Sequence, residues 1–126
     1  MRIAIPTAGY GGLNDLVGQH FGRVPTYTIF DTNTNNVEVL PNKSLHMGGT
    51  GYPPEFLAQV GVELMICAGL GRRAINMFEQ FGIEVFVGAS ATETAEAAIK
   101  AYQNGRLQMA TDENACREHR YRRHEH

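Results

Sequence analysis

The sequence predicts an α/β domain built on a mixed β-sheet with helices on its faces. Three observations carry that expectation. The chain contains five short runs rich in β-branched, aromatic or continuous apolar residues. Two of them are joined only by the turn-forming stretch "TNTN" and so must pair as an antiparallel hairpin. The second half alternates strand and helix, which through right-handed crossovers makes its strands parallel. With 126 residues there is material for one hydrophobic core and not for two.

Taken in order, "RIAIPT" (Arg2 to Thr7) is the first strand, and it ends on a glycine-rich stretch, "AGYGGLNDLVGQHFGR", with no sustained helical period, which reads as a long loop. "TYTIFD" and "NVEVLPN" are the hairpin strands. A second glycine-rich loop, "HMGGTGYPP", leads into a short helix over roughly Pro54 to Gln59. "VELMICAG" is nearly continuous in apolar residues, as expected of a strand covered on both faces. "GRRAINMFEQFG" is a helix with Ala74, Phe78 and Phe81 spaced along one side and Gly82 as its terminating glycine. "IEVFVG" is the last buried strand. In "SATETAEAAIKAYQNG" Ser90 and Glu93 have the spacing of a capping box, Ala95, Ala98, Ile99 and Tyr102 form one apolar stripe, and Gly105 stops the helix. Residues 1–110 make the folded domain. The remaining 111–126 form a polar tail, predicted to be mobile, whose last fourteen residues hold four Arg, three Glu and three His.

The charge balance, eleven basic against thirteen acidic side chains for a formal charge of -2, supplies no overall field to draw in nucleic acid. No stretch has the length of a signal peptide or a membrane span, so the chain reads as cytoplasmic, with neither nucleic acid nor membrane as partner. The two cysteines, Cys67 and Cys116, make no disulfide framework. Cys67 lies inside an apolar strand and reads as core, which leaves no Cys-His or Ser-His-Asp arrangement. Asp15, Asp31 and Asp112 are too scattered for two-metal nuclease chemistry.

Three motifs remain. "GLGRRA" (Gly69 to Ala74) fits G-x-G-x-x-A at a strand-to-helix junction, where it serves either as a structural turn or as an anion site. A dinucleotide is disfavoured, because the next strand ends without the acid that would hold a ribose. The loops "QHFGR" and "HMGGTG" each set a histidine, His20 and His46, beside glycines, with Arg23 as a fixed cation. Neutral imidazole can ligate soft or borderline metals, and glycines let backbone N–H groups approach a ligand. In the tail, Cys116, His119, His124 and His126 form a C-x2-H-x4-H-x-H array. Its spacing is too tight for a closed zinc finger and suits either reversible capture of a divalent transition metal or a plain polar terminus.

In combination, "RIAIPT", "HFGRVPTYTIFD", "HMGGTG" and "GVELMICAGLGRRAINMFEQFGIEVF" resemble the dinitrogenase iron-molybdenum cofactor biosynthesis family, which includes NifX-like proteins and the NifX-like domain of NifB. The resemblance runs from Met1 to about Leu107. It implies a ribonuclease H-like, three-layer fold whose five-stranded mixed sheet has the order 3-2-1-4-5, without that enzyme's carboxylates. It further implies that the protein is not an enzyme but binds or carries an anionic metal-sulfur cluster, iron-sulfur or iron-molybdenum-sulfur, or its precursor, with cofactor-assembly proteins as partners. On that basis His20 is expected as a ligand or as a hydrogen-bond donor to the cluster, Arg23 as its charge partner, and His46 as a neighbour of both. Gly48, Gly49, Gly69 and Gly71 are expected as backbone donors. The alternative, a regulatory or scaffolding module that uses the same loop face to hold a protein partner, stays open, since fold does not choose between them.

Overall fold

A computed structural model of the chain describes residues 1–19, 23–42 and 53–110. Its elements are β1 (Arg2–Thr7), a short 3-10 helix (Gly12–Asn14), β2 (Thr26–Asp31), β3 (Val37–Pro41), α1 (Pro53–Gln59), β4 (Leu64–Cys67), α2 (Arg72–Gln80), β5 (Glu84–Val87), α3 (Ala95–Gln103) and β6 (Gln108–Met109). The sheet has the order β3-β2-β1-β4-β5-β6. The expected order 3-2-1-4-5 therefore holds, and the expected count of five does not. β6 adds a sixth strand, antiparallel to β5, with Phe86 opposite Met109 and Val87 opposite Gln108.

The hairpin pairs as its turn chemistry requires, from Thr26 opposite Pro41 to Phe30 opposite Val37. Asn35 takes the left-handed conformation, φ 62°, that asparagine tolerates and a reversing turn needs. β1 is the hinge of the topology: it runs antiparallel to β2 and parallel to β4, and β4 runs parallel to β5.

Because side chains alternate along a strand, the sheet feeds two cores. On one face Ala4, Tyr27, Ile29, Met65 and Val85 pack under Leu57 of α1 and Ile75 and Phe78 of α2. On the other, Ile3, Ile5, Leu64 and Ile66 pack under Ala95, Ala98 and Ile99 of α3. There Tyr102 meets Phe86 edge to face, with ring centroids 4.9 Å apart. Burying β4 completely on both sides is what its unbroken apolar run demands.

Two helix details differ from expectation. Phe81 is not on the buried side of α2. It is the residue at which the helix ends, 42% exposed, and Ile75 takes its place in the core. The cap of α3 is Thr94, whose hydroxyl accepts from the Ala97 N–H, rather than Ser90. Glu93 still reaches back to the Ser90 N–H at 2.8 Å, but this stabilises a turn ahead of the helix. The terminating glycines Gly82 and Gly105 both have positive φ, as placed from the sequence.

Candidate functional site

The register brings one end of the sheet into focus. β1 finishes at Thr7 opposite the first residue of β2, which in turn faces Pro41, the last of β3. β4 and β5, parallel to β1, finish at the same end at Cys67 and Val87. The loop after β1, the approach to β2, the exit from β3 and the β4–α2 turn thus emerge together. In open α/β sheets the crevice beyond the strand ends is where ligands bind.

Of the residues expected to form a site, Arg23, Gly69 and Gly71 are brought to this end. Arg23 is exposed just ahead of β2, and the two glycines make the β4–α2 turn. His20, His46, Gly48 and Gly49 lie outside the described residues, as do Cys116, His119, His124 and His126 of the tail. Among the described residues no group of three or more His, Cys, Asp or Glu is placed to hold a metal ion.

The glycine turn has an unusual character. Neither Gly69 nor Gly71 has positive φ, and among the described residues a Cβ built on either would meet nothing within 4 Å. Neither backbone conformation nor packing requires glycine at these places, and the effect of having it is a bare backbone surface. Gly71 is the N-cap of α2 and supplies no side-chain hydrogen bond, and the first turn carries no acid. It carries instead Arg72 and Arg73, both exposed. Cations at a helix N-terminus oppose the helix dipole, so two in succession beside an uncapped turn concentrate positive potential where Arg23 also emerges. An anion would be attracted there.

Beneath this end lies a frame of buried polar groups. Among the described residues the buried polar side chains are Thr7, Thr26, Thr28 and Asn42, all at or near this end of the sheet. The Thr7 hydroxyl sits 2.6 Å from that of Thr26 and 3.0 Å from that of Thr28. Thr26 reaches the Gly9 carbonyl, with the Thr7 carbonyl 3.2 Å away. Asn42 donates through Nδ2 to the Val24 carbonyl at 2.8 Å, and its N–H donates to the Pro25 carbonyl.

The loop after β1 is also more ordered in pattern than its composition suggests. Val17 bridges to Thr7, Leu16 bridges to Thr94, and the Gly18 N–H donates to the Pro6 carbonyl. The Asp15 carboxylate accepts from the Gly11 and Leu16 N–H groups at 2.9 and 2.8 Å. Gly18 lies so close to Val24 that a Cβ would fall 2.1 Å from the valine Cγ1.

Cys67 ends β4 directly below the glycine turn and is buried, as the sequence suggests. Burial pushes its thiol up to about 12, partly offset by a hydrogen bond from the Gly69 backbone. The neighbouring Tyr27 phenol is driven upward chiefly by burial and secondarily by Cys67. A thiol in this setting is neutral at physiological pH and is no nucleophile.

The family profile described as dinitrogenase iron-molybdenum cofactor matches residues 1–105. The chain belongs to that family. The chain is similar in structure to the apo form of the orange protein from Desulfovibrio gigas, with a TM-score of 0.78 and 26% identity, over 87% of this chain and 92% of that one. A putative NifB protein from Thermotoga is similar with a TM-score of 0.68 and 29% identity, over 86% of this chain and 91% of its own. An uncharacterized protein of Methanocaldococcus jannaschii is 28% identical across 113 residues, 86% of this chain and 90% of that protein. No helix among the described residues is long and apolar enough to cross a membrane.

Two sets of residues at this site lie outside the side chains singled out from the sequence. Arg72 and Arg73 stand inside the "GLGRRA" motif, and the signal for them was charge of the wrong sign for a helix start. The buried threonines were legible as an i, i+2 pair in "TYTIFD", a polar stripe on one face of an otherwise apolar strand.

Proposed function

We propose that this chain binds an anionic metal-sulfur cluster or its precursor as cargo, and that it holds or hands on the cluster without turning it over. The observation that carries the reading is the bare Gly69–Gly71 turn at the start of α2, flanked by Arg72 and Arg73 and sharing its end of the sheet with Arg23. Backbone N–H groups unobstructed by a Cβ can donate to sulfide or thiomolybdate-like ligands, and guanidinium groups neutralise net negative charge. Membership of the iron-molybdenum cofactor family, and likeness to a putative NifB protein, support a cluster rather than a phosphate as the anion. In this reading His20 and His46 supply imidazole to the cargo, and Gly48 and Gly49 add further backbone donors. The fold is then a ribonuclease H-like scaffold put to binding, and assembly proteins that make or receive the cluster are its partners.

Anaerobic titration of the full chain with tetrathiomolybdate, a soluble anionic molybdenum-sulfur probe, tests this. Saturable binding is expected, weakening as salt rises. Replacing Arg72 and Arg73 together by Ala should loosen binding by roughly ten-fold or more, the scale of one or two charge-assisted hydrogen bonds. His20→Ala should weaken it with an unchanged thermal midpoint. Absence of binding, or affinity indifferent to all three side chains, would sink the proposal.

A further inference from the structure

We infer that Thr26 is a positioning residue: through a one-way chain of buried hydroxyls it fixes the glycine loop after β1 and the backbone that carries Arg23. The inference rests on the binding role proposed for this end of the sheet and adds residues that never touch the cargo.

Proton bookkeeping sets the direction of the chain. Three hydroxyl protons face four oxygen–oxygen contacts: Thr28 to Thr7, Thr7 to Thr26, and Thr26 to the Gly9 carbonyl and, at 3.2 Å, to the Thr7 carbonyl. Carbonyls can only accept, so the Thr26 proton is directed to them and not to the Thr7 hydroxyl, with the Gly9 oxygen the nearer of the two. Thr26 is then the acceptor for Thr7, and Thr7 the acceptor for Thr28. In the reverse direction the Gly9 contact would bring two oxygens together with no proton between them. The three side chains are fully buried, so no water competes.

The chain ends on the loop that matters. Gly9 begins the stretch whose Gly11 and Leu16 N–H groups are gathered by Asp15. That stretch continues to Gly18, which is pressed against Val24. Val24 is the immediate neighbour of Arg23, and its carbonyl is held by Asn42. Arg23 is therefore set on a segment fixed by Gly18 on one side, Asn42 on the other, and the start of β2 at Thr26. Such support is what holds a binding constellation to within a fraction of an ångström.

The direction of the chain predicts unequal effects from equal surgery. Thr26→Val removes the central oxygen, so the Thr7 hydroxyl loses its Thr26 acceptor and the Gly9 carbonyl loses its Thr26 donor. Thr28→Val removes only the terminal donor and leaves the Thr7–Thr26–Gly9 run intact. Thr26→Ser keeps the hydroxyl.

The test uses the full chain and two measurements. Amide exchange at Ala8, Gly11 and Leu16 reads the loop without any ligand, and tetrathiomolybdate titration reads the site. Thr26→Val is expected to speed exchange at those amides, and to weaken binding, each by roughly ten-fold. Thr26→Ser and Thr28→Val should stay near wild type in both. If Thr26→Val does not fold, Asp15→Asn, which loosens the same loop from its other anchor, must produce the same paired change. A Thr26→Val protein with a lowered thermal midpoint but unchanged exchange and affinity would overturn the inference, as would equal losses in Thr26→Val and Thr28→Val. A wild-type chain that does not bind the probe defeats the cargo reading, and the exchange rates alone then decide whether the hydroxyl chain holds the loop.

Discussion

Replacing Gly18 by Ala is expected to destabilise the protein by about 1–3 kcal/mol, the range for forcing an extra methyl into a packed site. The added Cβ would lie 2.1 Å from Cγ1 and 3.3 Å from Cβ of Val24, and the second contact cannot be relieved by rotating χ1. Val24 is buried, so it has little room to retreat. For a chain of 126 residues each kcal/mol corresponds to roughly 4 °C in the thermal midpoint, so the shift is readily measured. Val24→Ala should recover part of the loss when combined with Gly18→Ala, giving a favourable coupling in a double-mutant cycle. Gly69→Ala is the contrasting case. With open space at the Cβ position and no positive φ, it should leave the midpoint unchanged or slightly raised, while weakening tetrathiomolybdate binding. An unshifted midpoint in Gly18→Ala would mean that Val24 is less constrained than its packing indicates.

Raising the pH should unfold the protein from within. The Cys67 thiol titrates from 9.0 in the unfolded chain to about 12 in the folded one, and the Tyr27 phenol also shifts upward from its ordinary 10.0. Both are acids kept neutral by burial. Below pH 9 both states hold the protons and there is no effect. Above it the unfolded chain releases protons that the folded chain retains, so stability falls as pH rises, by about 1.4 kcal/mol per pH unit for each group in its window. The thiol acts first, from pH 9, and the phenol joins from pH 10. Denaturant midpoints measured from pH 8 to 11 should decline with increasing steepness. Cys67→Ala, although less stable at neutral pH because of the cavity it leaves, should be flatter between pH 9 and 10. A midpoint that stays level through pH 11 would show that neither group is as thoroughly dehydrated as its burial indicates.

The β2–β3 hairpin, the doubly buried β4 and the α3 stripe of Ala95, Ala98 and Ile99 were legible because each carries a strong local signal: turn chemistry between two β-rich runs, an unbroken apolar run, and a helical period. β6 was not, since a strand of two residues, Gln108 and Met109, has no period at all and exists only because β5 offers it a free edge. Phe81 shares i, i+7 spacing with Ala74, which on spacing alone puts the two on one side of a helix. The helix ends at that residue, and its direction is set by the Gly82 turn instead. Thr94 displaced Ser90 as the cap because the β5–α3 connection is tied to the loop after β1, through Val17 N–H to the Glu93 carbonyl and Ala95 N–H to the Asp15 carbonyl. At the site, Arg23 and the glycine turn could be named from composition and motif. The hydroxyl frame could not be, because its meaning depends on Thr7 and Thr26 facing each other across two strands.

The place of β1 in the sheet also governs the order in which the molecule can be assembled. It is the first strand to be synthesised, yet it is interior, and Ile3 and Ala4 find their parallel partners only in Leu64 and Met65. The neighbouring hairpin closes locally and can cover one flank early, whereas the other flank must wait until β4 has been made. Pairings of such sequence separation are slow, because the entropy of closing the intervening loop is lost before any contact rewards it. During that interval the apolar run of β1 is an open edge, vulnerable to pairing with another nascent chain. The β1–β4 seam is thus the kinetic bottleneck of the fold, and past Ala4 and Met65 it leads to the end of the sheet where the β1 and β4 loops emerge.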